Sequence, residues 1–180
     1  MNRRRILFAV LMLVACVAIV STTLGREVYS GRQPGLASFT IVHFAGYLFF
    51  LLMPVEALLP YYMAEGHRGE VLIVLAVITA LVAQVIDYGI GRLLAERVAR
   101  DIVGQKRYAR LRRWVDRWGS AAIFVFNLFP LSSPNMLLVA GMTRFGVVRT
   151  FGYSALGLLL KYVGLVYIFD ATGWFTRGSP

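Results

Sequence analysis

Apolar residues fall along this chain in blocks of membrane length, and two of the blocks are interrupted. Ile6–Leu24 is an unbroken apolar run of 19 residues, enough to cross about 30 Å of hydrocarbon as a helix. Val71–Gly91 and a stretch from Val147 to Phe169 are two more clean runs. Two equally apolar stretches carry polar residues and prolines. Phe39–Glu65 contains Pro54, Glu56, Pro60 and Glu65; Ala121–Met142 contains Asn127, Pro130, Ser132, Ser133, Pro134 and Asn135. In hydrocarbon every backbone group must be satisfied internally, so broken helices survive only inside protein or beside a wet cavity. The pattern predicts an all-α integral membrane protein with about three transmembrane helices and two broken segments.

The polar segments settle how those elements are threaded. Gly25–Leu36 and Gly66–Glu70 are short loops. Arg92–Trp118 holds nine Lys or Arg against three acids. Its apolar positions, among them Leu94, Val98, Tyr108, Leu111, Trp114, Val115 and Trp118, recur at mostly helical spacing with a break near Gly104. This predicts a cationic amphipathic helix in the interface that favours anionic lipid. If both broken stretches crossed the membrane, this segment would lie on the side opposite Arg3-Arg4-Arg5. If each is a re-entrant hairpin, all the basic segments gather on the cytoplasmic side, as the positive-inside rule requires. Hairpin plus span then occurs twice in opposite orientation, the inverted-repeat logic of secondary transporters. The expected divisions are an anchor helix and loop (1–37), a membrane domain (38–170) and a tail (171–180). Within the domain they are hairpin 38–69, span 70–92, basic helix 93–118, hairpin 119–142 and span 147–169.

Composition sharpens the class. The 180 residues are 58% hydrophobic and 16% charged, with a mean hydropathy of +0.68, which leaves a soluble domain more apolar surface than it can cover. The net charge of +10 sits beside apolar runs rather than on a separate basic face, so nucleic acid is not an expected partner. A lone cysteine, Cys16, excludes an intrachain disulfide. Leu13-Val14-Ala15-Cys16 is like a lipoprotein cleavage box, but Val17-Ala18-Ile19-Val20 continues the apolar run, which favours an uncleaved first span.

Ionisable residues at membrane depth mark substrate or ion paths. Glu56 and Glu65, on either side of Pro60, are candidates to bind a proton or cation, because desolvation favours a neutral carboxyl; the plainer reading of Glu65 is an interfacial, wet position. Asp87, just before Gly89 and Gly91, faces either a cavity or an interfacial arginine. Lys161 stands mid-span in Gly157-Leu-Leu-Leu-Lys161 and needs a partner: Glu56, Glu65, Asp87 or a lipid phosphate. Asn127, Ser132, Ser133 and Asn135 can bond a headgroup or cap backbone freed by Pro130 and Pro134. Pro60, Pro130 and Pro134 are the expected hairpin breaks, and Gly91 and Gly141 allow close helix packing. His43 and His67 are isolated and lack metal-ligand spacing. No metal, cofactor or catalytic motif is indicated.

Glu56-Ala-Leu-Leu-Pro60 with Glu65, Asp87-Tyr88-Gly89-Ile90-Gly91-Arg92, Phe129-Pro130 and Ala140-Gly141-Met142 occur here in the order of a known pattern. From about Val42 to Phe169 the chain resembles the DedA family, also called VTT or SNARE-associated Golgi protein domain. The resemblance implies two facing re-entrant hairpins and lipid translocation, such as flipping of a phospholipid or polyprenyl phosphate linked to proton-motive force, or scrambling. Departures are visible: Asn127 and Ser133 stand where the family commonly has arginines, and Met63-Ala64 precede Glu65. The resulting expectation is a non-enzymatic inner-membrane protein with a cytoplasmic N-terminus and membrane lipids as partners, its few spans suiting a homodimer. The rivals are a non-transporting scaffold and an intramembrane lipid-phosphate enzyme using Glu56 and Asp87.

Overall fold

The computed structural model describes residues 18, 22, 34–49, 55–97, 105–129 and 133–172. Most of the expected anchor Ile6–Leu24 lies outside these residues, as do Pro54, Gly104, Pro130, Ser132 and the tail beyond Thr172. All regular structure among the described residues is helical. We number the helices α1 (Leu36–Phe49), α2 (Leu58–Ala64, preceded by a 3-10 turn Val55–Ala57), α3 (Gly69–Arg97), α4 (Gln105–Leu128), α5 (Ser133–Met142) and α6 (Val147–Ala171).

Among the described residues only α3 and α6 are long and apolar enough to span, each over 25 residues, Gly69–Leu93 and Val147–Ala171, or about 37 Å at 1.5 Å per residue. Their outer faces are apolar and exposed, with Val74, Ile78, Val82 and Val85 on α3 and Leu156, Leu159, Leu160 and Val163 on α6. Such continuous apolar faces fit lipid rather than water. The chain is a membrane protein.

Leu36–Ala64 folds back on itself. Ser38 at the start of α1 bonds the Tyr62 hydroxyl at the end of α2 (2.6 Å). Near the other end of α1, Gly46 lies so close to Val55 that a Cβ there would strike the Val55 side chain. The two arms are therefore antiparallel, with the reversal between Phe49 and Val55. Pro60, expected at the break, stands instead inside the first turn of α2. There a missing N–H removes no helical bond, since the first N–H groups of a helix have no partner anyway. With 14 and 7 residues, the arms are about 21 and 10 Å long, each short of a bilayer.

The basic segment also differs from the expectation of a separate surface helix 93–118. Its start extends α3 to Arg97, and its part from Gln105 opens α4, which continues through Trp118 to Leu128 without a break. Nothing between Trp118 and Leu128 stops a helix: Gly119 is buried beside Val115 and Phe145, and Ala121 and Ala122 are strong helix formers. Val115, Gly119, Ile123 and Asn127 form one buried stripe at every fourth residue. The N-terminal half of α4 thus stays cationic and exposed while its C-terminal half enters the core.

One structural device occurs twice. At the end of α2 the His67 N–H reaches the Tyr62 carbonyl (3.1 Å) and the Gly66 N–H the Met63 carbonyl (3.0 Å). At the end of α5 the Phe145 N–H reaches Ala140 (2.9 Å) and the Arg144 N–H reaches Gly141 (3.0 Å). Both are Schellman caps, which need a left-handed residue; Gly66 supplies it at φ 89° and Arg144 at φ 54°. Each cap leads into a spanning helix. Helix packing is matched in part: α1 lies on α3 as α4 lies on α6, whereas α5 packs extensively on α3 and α2 meets α6 only at a few positions.

Candidate functional site

Lys161 is the fifteenth residue of the 25 in α6, about 3 Å along the axis from the helix midpoint. Its ammonium donates to Glu56 Oε1 at 2.9 Å, and the two side chains are 5% and 20% exposed. The Tyr162 and Tyr47 rings lie under the same ammonium, at 4.9 and 5.4 Å from their centroids, a cation–π arrangement that strengthens where water is scarce. Glu56 belongs to the 3-10 turn immediately after the reversal of the first hairpin. The hairpin tip therefore presents a carboxylate to the middle of α6. Of the three acids open to Lys161, the fold selects Glu56.

A neutral hydrogen-bonded knot adjoins this pair. His43 on α1 bonds Thr79 of α3 through Nδ1 and Tyr162 of α6 through Nε2, both at 2.7 Å. The Thr79 hydroxyl donates to the Leu75 carbonyl (2.7 Å), so toward His43 it can only accept. Nδ1 therefore carries the proton, and Nε2 accepts from the Tyr162 hydroxyl. A protonated imidazole would lose that acceptor and add a second cation beside Lys161. His43, isolated in the sequence, joins three helices.

A second knot ties α3, α4 and α6. Ser154 donates to Gln84 Oε1, Gln84 Nε2 donates to Asn127 Oδ1 (2.5 Å), and Asn127 Nδ2 donates to the Ile123 carbonyl (2.8 Å). All three side chains are fully buried. Asn127 is thus fully buried and bonded within the protein, away from any headgroup.

The remaining candidates are not brought to the pair. Glu65 lies in the turn that ends α2, partly exposed, roughly 13 Å along the helix from Glu56. Asp87 is buried one turn beyond Gln84, and its Oδ2 has no hydrogen-bond partner among the described residues. Ser133 and Pro134 open α5. Gly91 and Gly141 face each other's helices: a Cβ on Gly91 would strike the Leu138 carbonyl, and one on Gly141 the Tyr88 carbonyl. Tyr88 adds a bond to the Phe145 carbonyl (2.6 Å), and Tyr108 another to Met142 (2.5 Å).

Sequence reasoning passed over Thr79, Gln84 and Ser154. Their signal was present, since each is a polar residue in an otherwise apolar span, and in lipid such residues usually bond across helices. Among the described residues no group of three or more His, Cys, Asp or Glu side chains is placed to hold a metal ion.

The comparisons with known proteins agree with this architecture at the level of family. Neither the curated proteins nor the solved structures yield a match. The family model of the VTT domain matches residues 34–171, from the start of the first hairpin to the end of α6. The chain therefore belongs to the VTT domain family, the domain of DedA and SNARE-associated membrane proteins.

Proposed function

We propose that this protein is a membrane transporter that moves a lipid or lipid-linked anion, such as a phospholipid or polyprenyl phosphate, from one leaflet to the other. The observation that carries the reading is the Glu56–Lys161 pair, held by a hairpin tip at the middle of a spanning helix. A charge pair at that depth is expensive, and proteins keep one there chiefly along a substrate or ion path. The paired Schellman caps, and the packing of α1 on α3 matched by that of α4 on α6, support two inverted repeats, with short arms entering from opposite faces. In this reading the protein lies in the inner membrane, its N-terminus and basic segments are cytoplasmic, and a homodimer gives the few spans a larger lipid-excluded centre.

The test is to reconstitute purified protein in vesicles containing a headgroup-labelled phosphatidylglycerol and to follow its exchange between leaflets. Exchange well above that of protein-free vesicles is expected. Its absence, for this lipid and for a labelled polyprenyl phosphate, with folded protein, would refute transport.

One observation favours a second reading, a scaffold that recruits anionic lipid. The exposed part of α4 carries Lys106, Arg107, Arg110, Arg112, Arg113 and Arg117 against Asp116, with Trp114 and Trp118 half exposed beside them. That face suits a headgroup layer whether or not lipid crosses. An enzyme reading has less support, because Glu56 is engaged by Lys161 and makes no nucleophile–base pair with Asp87.

A further inference from the structure

Resting on the transporter reading, we infer that the first half of α4 senses anionic lipid in the leaflet it faces, and that Tyr108 is the positioning residue that passes the bound state to the second hairpin. Anionic lipid acts here as an activator, separate from the cargo.

From Gln105 to Gly119 the helix has two opposite faces. Tyr108, Leu111, Val115 and Gly119, at steps of three and four, are half-buried or buried, and Leu111 and Val115 belong to the apolar cluster around Phe145. Lys106, Arg110, Arg113 and Arg117, also at steps of four and three, run exposed along the other side. Phe145 stands two residues before α6 begins, so this part of α4 lies at the level where the spans leave the membrane. Trp114 and Trp118 sit half exposed among the arginines. Cations and indoles together at that level fit an anionic headgroup layer.

Without such a layer this half of the helix works against itself. Its first turn holds no acid, although the helix dipole favours one there, and Lys106 and Arg107 stand in its place. Lys106 and Arg107 with Arg110, Arg110 with Arg113, and Arg113 with Arg117 are like charges one turn apart. Asp116, one turn from Arg112 and Arg113, is the single acid of α4 that offsets them. Anionic headgroups remove the repulsion. They therefore favour the helical, docked form of this segment over a frayed one, and that difference is what lets lipid shift the balance.

The docked form holds the turn that ends the second hairpin. Tyr108 donates to the Met142 carbonyl at 2.5 Å, and Tyr88 of α3 donates to the Phe145 carbonyl at 2.6 Å. Between those carbonyls Arg144 occupies the left-handed region at φ 54°, which is costly for a residue with a Cβ. The matching turn of the first hairpin uses Gly66 and has no such cost. The second cap thus depends on bonds from outside, and one of them comes from the charged half of α4. With ten residues, α5 is too short to be stable alone, and this cap fixes its end. Loss of the Tyr108 bond relaxes the cap and loosens α5 against α3. The cap is the two-state element, and Tyr108 is its link to the membrane surface.

The test separates cargo from activator. The cargo is a trace of headgroup-labelled phosphatidylglycerol; surface charge comes from sulfoquinovosyl diacylglycerol, which has no phosphate. Wild type, Tyr108→Phe and a triple variant (Arg110→Gln, Arg113→Gln, Arg117→Gln) are reconstituted in phosphatidylcholine vesicles with none or about 30% of the sulfolipid. A Trp174→Phe background leaves Trp114 and Trp118 as the tryptophans, and their emission reports where α4 sits. Wild-type crossing is expected to rise about fivefold or more with the sulfolipid, together with a blue shift. Both gains should fade between about 0.05 M and about 0.5 M salt. Competition by the sulfolipid for the path would slow the label, the opposite sign. The triple variant should show neither gain. Tyr108→Phe should keep the rate on neutral vesicles and the blue shift but lose the acceleration.

Wild-type crossing that ignores both surface charge and salt overturns the sensor while leaving transport standing, and it decides even if the variants misfold. Full acceleration in Tyr108→Phe, or an equal loss on neutral and charged vesicles, overturns the link through Tyr108. No crossing by folded wild type on any vesicle overturns the transporter reading and this inference with it; a blue shift that still follows surface charge would then support the scaffold.

Discussion

Replacing Gly91 by alanine should destabilise the protein, whereas the same change two residues earlier should not. The Gly91 Cβ would strike the Leu138 carbonyl oxygen and lie 2.9 Å from its carbon and 3.1 Å from its Cα. These are backbone atoms of α5, so relief requires moving the whole helix rather than one rotamer. Overpacking of this kind costs about 1–3 kcal/mol, offset by up to about 1 kcal/mol from alanine's better helix propensity. A net loss of about 1–2 kcal/mol follows. Gly141→Ala meets the same crossing from the other side, at the Tyr88 carbonyl, and should lose a similar amount. The double variant should lose less than the sum, since one separation of α3 from α5 relieves both clashes. Gly89 has nothing within 4 Å of its ideal Cβ, and Gly89→Ala should be neutral or stabilising by a few tenths to about 1 kcal/mol. The assay is reversible unfolding in mixed micelles titrated with denaturing detergent, followed by tryptophan fluorescence. Gly91→Ala as stable as Gly89→Ala would refute the close-crossing argument.

Three further outcomes follow from the buried contacts. Gln84→Leu leaves Asn127 Oδ1 and the Ser154 hydroxyl without the partner each has in Gln84 and should cost about 1–3 kcal/mol, while Gln84→Leu with Asn127→Leu should cost less than the two singles together; the same unfolding titration reads the cycle. In anion-free detergent Glu56→Gln strands the Lys161 ammonium and should lower stability by up to about 3 kcal/mol, and Lys161→Met added to it should recover most of the loss, as a thermal unfolding series would show. Arg68→Ala should change stability by less than about 0.5 kcal/mol, because its partner Glu70 is 3.3 Å away but both side chains are roughly four-fifths exposed; a loss above 1 kcal/mol by chemical denaturation contradicts that.

Hydropathy and charge along the chain determined by themselves the class of protein, two of its spans and the existence of two broken apolar stretches. Desolvation acts on each segment wherever it is placed, so these features are visible residue by residue. The same logic singled out Glu56 and Lys161, because a charge inside an apolar run needs a reason whatever surrounds it. Partnership was beyond its reach. Lys161 meets Glu56 across 105 residues, and His43 meets Tyr162 across 119; packing of α1 and α2 against α6 makes those meetings, and no local periodicity encodes them. The place of the first reversal, before Pro60 rather than at it, depended on where Gly46 lets the returning chain close on α1. The continuity of α4 through Trp118 followed from a buried stripe supplied by Phe145 and its neighbours. Local free energies chose the elements, but only the packed helices decided which polar groups share a low-dielectric interior, where each must find a partner or remain as costly as the unmatched Asp87 oxygen.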